Sequence, residues 1–335
     1  MKKKVTIHDL ARILKKDSST ISRALADSPR VKQKTRDLIQ AKAKELGYYR
    51  NLQASSLRNQ KTQTIGVIVP HISKFFFSTV IAGIEELAFE RGYRVIICQS
   101  MDNFKREKQL VHTLLSSQVD GIIMSISMET NHYDHLLAVK KQDVPVVFFD
   151  RKCEALPATN ILIDDYSRAF EATEHLIKSG KKSIAHFTGP KNVSIYESRL
   201  NGYLDALEKH NLVKDDTLIF SSRLKPEDGE SMAIEIMKQE NKPDAILSAN
   251  DMAAISAMRV FQQNGVQIPK ELAIIGFSNE PLGAYTNPSL SSINQNPNEM
   301  GQLAIETLLQ QIEVASSQFE IKLVDSSLVL RDSSK

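Results

Sequence analysis

The stretch Asp17–Asp27, DSSTISRALAD, opens on an acid and three hydroxyls and offers only Ile21, Ala24 and Leu25 as an apolar face. Asp17 is a helix N-cap residue type, and the apolar spacing is that of a helix about two turns long. Such a helix has little to bury, and its neighbours are equally modest. Upstream, Thr6 and Asp9 stand at capping-box spacing ahead of Ile7, Leu10, Ala11 and Leu14 on one face. Downstream, a helical pattern begins after Pro29, turns Ile39, Ala43 and Leu46 inward, and stops at Gly47. Three short helices around so small a core form a scaffold that presents one of them, as a helix-turn-helix does.

Charge points the same way. Residues 1–61 hold 16 Lys+Arg against 5 Asp+Glu, a balance of +11, whereas the remaining residues hold 27 against 35, a balance of −8. A basic module on a mildly acidic body is the footprint of a polyanion partner. Helical periodicity throughout the basic segment argues against a disordered tail. Ser18, Ser19, Thr20 and Ser22 are short enough to bond phosphates or base edges without holding the helix away, and Arg23 adds a charge. The helix N-terminus itself favours a phosphate. Capping of a solvated helix accounts for Asp17 but not for four hydroxyls and an arginine.

At 335 residues the chain exceeds what one core usually fills, so two or three domains are expected. No run of about 18 apolar residues is present, which excludes a transmembrane helix. The start MKKKVTIHDLARILKK looks like a signal peptide until charges interrupt its apolar part. Two cysteines, Cys98 and Cys153, form no framework and no CxxC pair. A cytoplasmic protein is expected.

From Thr62 onward, β-rich runs alternate with amphipathic helical stretches. Ten strands are read: TIGVIVP, YRVIICQS, DGIIMSI, VPVVFFD, NILID, KSIAHFTG, DTLIFSS, PDAILSAN, LAIIGFS and LSSINQN. Apolar strands separated by helices imply doubly wound parallel sheets, and ten strands imply two α/β subdomains. Enzyme motifs are missing. No two of the 13 glycines stand two apart, which excludes GxGxxG, and none stand four apart, which excludes GxSxG; GxxxxGK[ST], HExxH and CxxC do not occur either. His132 and His135, in a polar stretch, read as surface residues and not as a metal site. No metal and no cofactor is expected.

The segments TIHDLARILKKDSSTISRAL (6–25), SPRVKQKTR (28–36), ELGYYRN (45–51), ASSLR (54–58), TIGVIVP (64–70) and LVDSSLVLRDSS (323–334) resemble, in order and spacing, the lactose-repressor/galactose-repressor family of bacterial regulators. The resemblance runs over essentially the whole chain. It implies an all-α helix-turn-helix headpiece (1–50), a hinge helix or linker (51–61) and an α/β body similar to periplasmic binding proteins (62–335). The body would hold an N-subdomain of about 62–161 and 292–325 and a C-subdomain of about 162–291. The implied DNA-binding residues are Thr6, Lys15, Lys16, Ser18, Ser19, Thr20, Ser22, Arg23, Asn51 and Leu57, with Leu57 wedged into a minor-groove base step. The family's turn glycine before the recognition helix is replaced here by Leu14-Lys15-Lys16, which offers two further phosphate contacts.

The resemblance also implies an effector between the subdomains, touched by Phe77, Asp150, Arg151, Arg199, Asn250, Asp251, Ser278 and Gln295. For Phe77 the alternative is core packing, and for Asp251 it is capping of the following helix. Arg199, in SRLNGY, is the main candidate, because a forked guanidinium suits vicinal hydroxyls or a carboxylate. Ser278-Asn279 stands where relatives carry Asp, Leu224 where many carry an aromatic, and Val193 where the purine-responsive branch carries arginine. A sugar, sugar acid or sugar phosphate is therefore expected, and a purine is not. The expected protein is a homodimeric repressor of carbohydrate-use genes that binds double-stranded operator DNA. The competing expectation is a small-molecule-binding module with no sequence-specific DNA role.

Overall fold

The computed structural model describes residues 5–48, 61–314 and 319–335. The chain divides into two compact units, 1–62 and 63–335. Asn51 and Leu57, and most of the expected hinge, lie outside the described residues.

In the first unit the helices are α1 (Ile7–Leu14), α2 (Ser18–Leu25) and α3 (Gln33–Glu45). The capping box is formed. The Thr6 hydroxyl accepts from Asp9 N, and the Asp9 carboxylate accepts from Thr6 N at 3.0 Å. The expected side-chain cap at Asp17 is not. Asp17 occupies the N-cap position, but it acts through its backbone carbonyl, which takes the N–H groups of Thr20 and Ile21 at 2.9 and 3.0 Å. Leu10, Ile21, Ala24, Val31, Ile39 and Ala43 form the core, with Val5, Ile7, Leu14, Leu25, Leu46 and Tyr48 around them. Lys15 makes the turn between α1 and α2 in the left-handed region, at φ 48°, ψ 47°.

The second unit begins as a parallel α/β sandwich. Strands β1 (Thr64–Val69), β2 (Arg94–Gln99), β3 (Gly121–Met124), β4 (Val146–Phe149) and β5 (Thr159–Leu162) alternate with α4 (Phe75–Glu90), α5 (Phe104–Ser116) and α6 (Asp134–Lys141). A second run follows with β6 (Ile184–Thr188), β7 (Ile219–Ser221), β8 (Ala245–Ser248) and β9 (Ala273–Ile275). Its helices are α7 (Asp165–Lys178), α8 (Ser194–Lys209), α9 (Pro226–Lys238), α10 (Asp251–Gln263) and the single turn α11 (Pro281–Ala284). The chain then returns with β10 (Ser292–Asn294) and α12 (Pro297–Glu313), and ends with β11 (Ile321–Leu323) and β12 (Ser327–Val329).

Two sheets result, ordered β11-β5-β4-β3-β1-β2 and β7-β6-β8-β9, with all pairs parallel. Near-continuous apolar runs such as TIGVIV and VVFF are buried because helices cover both faces. Met300, Ala304, Ile305 and Leu308 of α12 join the core of the first sheet. α12 lies so close to α4 that a Cβ on Gly83 would fall 2.3 Å from the Asn298 carbonyl oxygen.

Twelve strands are present among the described residues, two more than the ten expected. The additional ones are three residues long, β11 largely exposed and β12 mostly half-buried, so no long buried apolar run announces them. β12 pairs antiparallel with β10, after which the chain crosses once more to the second lobe. There the Ser333 hydroxyl donates to Ile274 O at 2.6 Å, and Ile274 N donates to Ser333 O at 2.8 Å.

Two buried histidines were not legible as such. His135, expected at the surface, is 2% exposed, and its Nε2 lies 2.8 Å from the Glu107 carboxylate, which also takes the Thr130 hydroxyl. A carboxylate with that many donors draws the ring inward; His132 stays exposed. His186 of β6 is fully buried, shares a hydrogen bond with Leu247 O at 3.0 Å and stacks on Tyr203.

Burial depresses the His186 pKa to about 4, against the pull of the Leu247 carbonyl. The unfolded ring takes up a proton near pH 6.5, whereas the folded ring does so only near 4. This residue's share of stability is therefore complete above pH 6.5 and is lost as pH falls toward 4. The loss amounts to about 3 kcal/mol at full protonation. Urea denaturation of His186→Gln at pH 4.5 to 7.5 should give a flatter pH dependence than wild type. Parallel curves would remove His186 from the acid sensitivity.

Candidate functional site

Two places in the chain gather the chemistry-bearing residues. The first is the N-terminal turn of α2. Ser19, Arg23, Lys15 and Lys16 are exposed, and Ser18, Thr20 and Ser22 are half-buried along the same helix. Ser18 Oγ lies 3.3 Å from His8 Nδ1, and the Thr6 hydroxyl is engaged with Asp9 at 2.7 Å. Because the Asp17 carboxylate does not cap the helix, the positive end of the helix dipole stays open to an outside anion. A left-handed residue with a side chain costs roughly 1–2 kcal/mol, so the Lys15 turn is held by its surroundings. Its cap bonds, Lys15 N to Arg12 O and Lys16 N to Ala11 O, close α1 despite the missing glycine.

The second place is a cavity of about 430 Å3 in the body. Phe77, Asp150, Arg151, Arg199, Asn250, Asp251, Ser278 and Gln295 all line it. They come from six separate stretches, which meet because parallel strands deliver their carboxyl ends to one edge of each sheet. β4 delivers Asp150 and Arg151, β8 leads to Asn250 and Asp251, and β9 leads to Ser278.

On the first lobe, Phe77 is only 4% exposed and packs edge-on against Phe76 and Phe149, with centroids 5.1 and 6.2 Å away. It belongs to the core and to the cavity wall at once. Asp150 sits at φ 65°, and its carboxylate accepts from the Ser125 hydroxyl at 3.3 Å. Burial pushes this carboxyl up, while Arg151 and Arg199 pull it down. Arg151, 2% exposed, donates through Nη1 to Asp102 and to Ile126 O. Burial works against the Asp102 charge, but His71 and Arg151 more than offset it and hold this carboxyl well below the usual range.

On the second lobe, Arg199 is already well occupied. Its Nε and Nη2 reach Asp165 at 2.7 Å, Nη1 donates to Ala249 O at 2.7 Å, and the guanidinium lies 3.5 Å from the Phe277 ring centroid. Burial pushes the Asp165 carboxyl up to about 6, against the pull of Arg199. Asn250, and not Asp251, caps α10. Its Oδ1 accepts from Ala253 N at 2.8 Å, while Nδ2 donates to Leu224 O. Asp251 stands one residue inside the helix, where its carboxylate takes the Ser292 hydroxyl and Glu280 N, both at 2.6 Å. Burial raises it to about 6. This requires glycine at 276, because a Cβ there would lie 2.0 Å from Asp251 Oδ1. Ser278, at φ 118°, lines the wall where an acid is missing. Leu224 also lines it, whereas Val193 lies in the core of the second lobe.

Several lining residues were not anticipated from sequence: His71, Lys74, Asp102, Tyr196, Arg223, Lys225 and Glu280. Asp102 follows β2 just as Asp150 follows β4, so the strand-end rule could have found it. Among the described residues no His, Cys, Asp or Glu cluster could hold a metal, and no helix is long and apolar enough to cross a membrane.

A helix-turn-helix unit joined to a two-lobed α/β body with a polar cleft defines a DNA-binding regulator of transcription. Comparison with known families makes this specific. Residues 6–51 match the model for bacterial regulatory proteins of the lacI family, and residues 62–326 match that for periplasmic binding proteins and the sugar-binding domain of the LacI family. The chain belongs to the LacI family. It is 31% identical to the ribose operon repressor of Haemophilus influenzae over 98% of each chain. It is 36% identical to catabolite control protein A of Staphylococcus xylosus over 91% of each chain. The crystal structure of the lac repressor dimer bound to operator and the anti-inducer ONPF superposes with a TM-score of 0.88, at 25% identity over 99% of each chain.

The strain at Lys15 gives a separable test of the headpiece. Lys15→Gly should raise amide protection of α1 and α2 in the intact protein by the equivalent of about 1 kcal/mol. The same change should flatten the slope of log DNA affinity against log salt by about one. Unchanged protection would show that the turn is not strained.

Proposed function

We propose that the chain represses carbohydrate-use genes and that its hold on operator DNA is set by a small polyhydroxylated effector in the body cavity. The observation that carries this reading is the convergence of eight residues from six stretches on one cavity of about 430 Å3 that mixes charged, polar and apolar side chains. Carboxylates that accept from hydroxyls, guanidinium groups that donate and aromatic rings that cover a face are the mix that holds a sugar ring. The ribose operon repressor among its relatives supports the same class of ligand.

In this reading residues 1–50 contact DNA, 51–61 form the hinge, and the body binds the effector and a second copy of the chain. Thr6, Lys15, Lys16, Ser18, Ser19, Thr20, Ser22, Arg23, Asn51 and Leu57 face DNA. Two-fold symmetry of a homodimer calls for a near-palindromic operator. The effector acts only through its different affinities for two states of the protein, so operator DNA must weaken effector binding by the same factor. No residue has a catalytic role, and the protein works in the cytoplasm.

The first test selects a duplex from a random library and compares its affinity with random DNA at several salt concentrations. A preference of about a thousandfold or more, with a steep salt dependence, is expected. No preference would sink the DNA half of the reading. The second test is thermal denaturation against a panel of sugars, where a ligand at 100 times its Kd adds about 2.7 kcal/mol. For the site itself, Arg199→Lys is preferable to alanine, because it keeps a charge beside Asp165 while losing the fork. It should abolish the sugar response and leave operator affinity within about threefold. A surviving response would remove Arg199 from the ligand.

A further inference from the structure

Lys74 is the N-cap residue of α4 and lines the cavity, half-buried. Most of the basic side chains around it are already matched. Arg151 has Asp102 and Asp150, Arg199 has Asp165, Arg223 has Glu129, and His71 has Asp102. No hydrogen bond or ion pair engages the Lys74 ammonium among the described residues. Burial lowers its pKa, and the nearby Arg151 charge lowers it further, while Asp102, Asp150 and Glu280 pull it up. Two cations therefore share one wall closely enough to oppose each other.

Arg151 is itself incompletely satisfied. It is 2% exposed, and its Nε–H has no hydrogen-bond acceptor, although Asp150 Oδ2 lies 3.7 Å away. An unpaired, half-buried ammonium on the cavity wall is a donor suited to an oxyanion. The Arg151 charge behind it adds to the local positive potential, although the Arg151 Nε–H itself is sealed from the cavity. Such an oxyanion would take a charge-assisted bond from Lys74 and relieve its repulsion with Arg151. Arg199, expected from sequence to meet vicinal hydroxyls or a carboxylate, is less suited to the acid, because three of its nitrogens are spent on Asp165 and Ala249 O. Ser278, uncharged, removes one source of repulsion from the opposite wall.

Resting on the reading of this cavity as the effector site, we infer that its ligand is a sugar bearing an acidic group, bound through that group by Lys74 with the Arg151 charge behind it. The hydroxyls of the same ligand fall to the carboxylates of the second lobe. Asp102, Asp150 and Glu280 all lie near Lys74. Arg151 pairs with the first two, which leaves Glu280 as the carboxylate that would oppose the acid, and burial followed by the Asp251 charge already pushes its own carboxyl up.

The test is isothermal titration of the full chain with two matched sets: glucose, gluconate and glucose 6-phosphate, and ribose, ribonate and ribose 5-phosphate. An acidic member should bind about tenfold or more tightly than its neutral parent. Lys74→Gln should cost that member about tenfold and the parent less than about threefold, with Glu280→Gln strengthening the acidic member. Whether the carboxylate or the phosphate member binds identifies the acid. Ligand-free melting of each variant checks that it is folded. A neutral parent that binds as tightly as its acidic partners overturns the inference and leaves the effector reading standing. Equal losses for both in Lys74→Gln would assign Lys74 to lobe closure against Glu280, which also overturns it. Binding by no member of either set overturns the inference and the sugar-effector reading together.

Discussion

Two buried guanidinium groups hold the loops that make the cleft. Arg151 ties the end of β4 to Asp102 beyond β2 and to Ile126 O beyond β3. Arg199 ties α8 to the start of α7 through Asp165 and to the end of β8 through Ala249 O. Each therefore joins three segments distant in sequence, at the edge where parallel strands end. Pairs of this kind add little net stability, because desolvation offsets most of the attraction. Breaking one is another matter, since the partner is left charged and buried at a cost of about 3–5 kcal/mol. Geometry, more than energy, is what the two arginines supply.

The remaining cleft chemistry follows from that rigidity. With Asp102 held ionised by its donors, burial moves the Asp150, Asp165, Asp251 and Glu280 carboxyls toward neutrality, Asp165 and Asp251 to about 6. Asp251 stays in place because Ser292, on the returning β10, and Glu280 N, at the start of α11, both donate to it. Ser292 belongs to the segment that carries the chain back toward the first sheet, so one wall of the cleft is pinned by the connection between lobes. A ligand that changed the Asp251 hydrogen bonds would act directly on that connection.

Much of this was legible in the sequence, and the failures have physical causes. The headpiece helices were readable because the 3.6-residue spacing of Ile7, Leu10, Leu14, Ile21 and Ile39 is local. The cleft residues were readable because the family resemblance implies them, and for Asp150 the strand end marked by a polar residue after an apolar run, VVFFD, agrees with it. Lys15 in a left-handed turn was not readable, because nothing in a lysine announces positive φ. Asn250 and Asp251 are adjacent acceptors at a helix start, and only the close approach permitted by Gly276 decides which one caps. β11 and β12 stayed hidden because three-residue strands that are exposed or only half-buried carry no long apolar run. His135 was misread because its partner Glu107 lies 28 residues away, on another helix.

Both units leave polar groups short of internal partners where an outside anion fits. In the headpiece, Asp17 gives its carbonyl and not its carboxylate to α2, and Lys15 and Lys16 stay exposed beside a strained turn. A carboxylate cap and a turn glycine would each stabilise so small a core by about 1 kcal/mol, yet each would subtract positive potential from the surface expected to meet phosphate. In the body, the half-buried Lys74 ammonium on the cavity wall makes no hydrogen bond or ion pair among the described residues, although Asp102, Asp150 and Glu280 lie near it. Local stability and readiness for an anion are opposed at each place, and in each the sequence departs from the more stable choice. That recurrence, in two units with unrelated folds, is what separates these residues from ordinary solvated charges. A surface lysine costs nothing to leave alone, whereas a left-handed lysine and a half-buried ammonium beside a buried guanidinium both do.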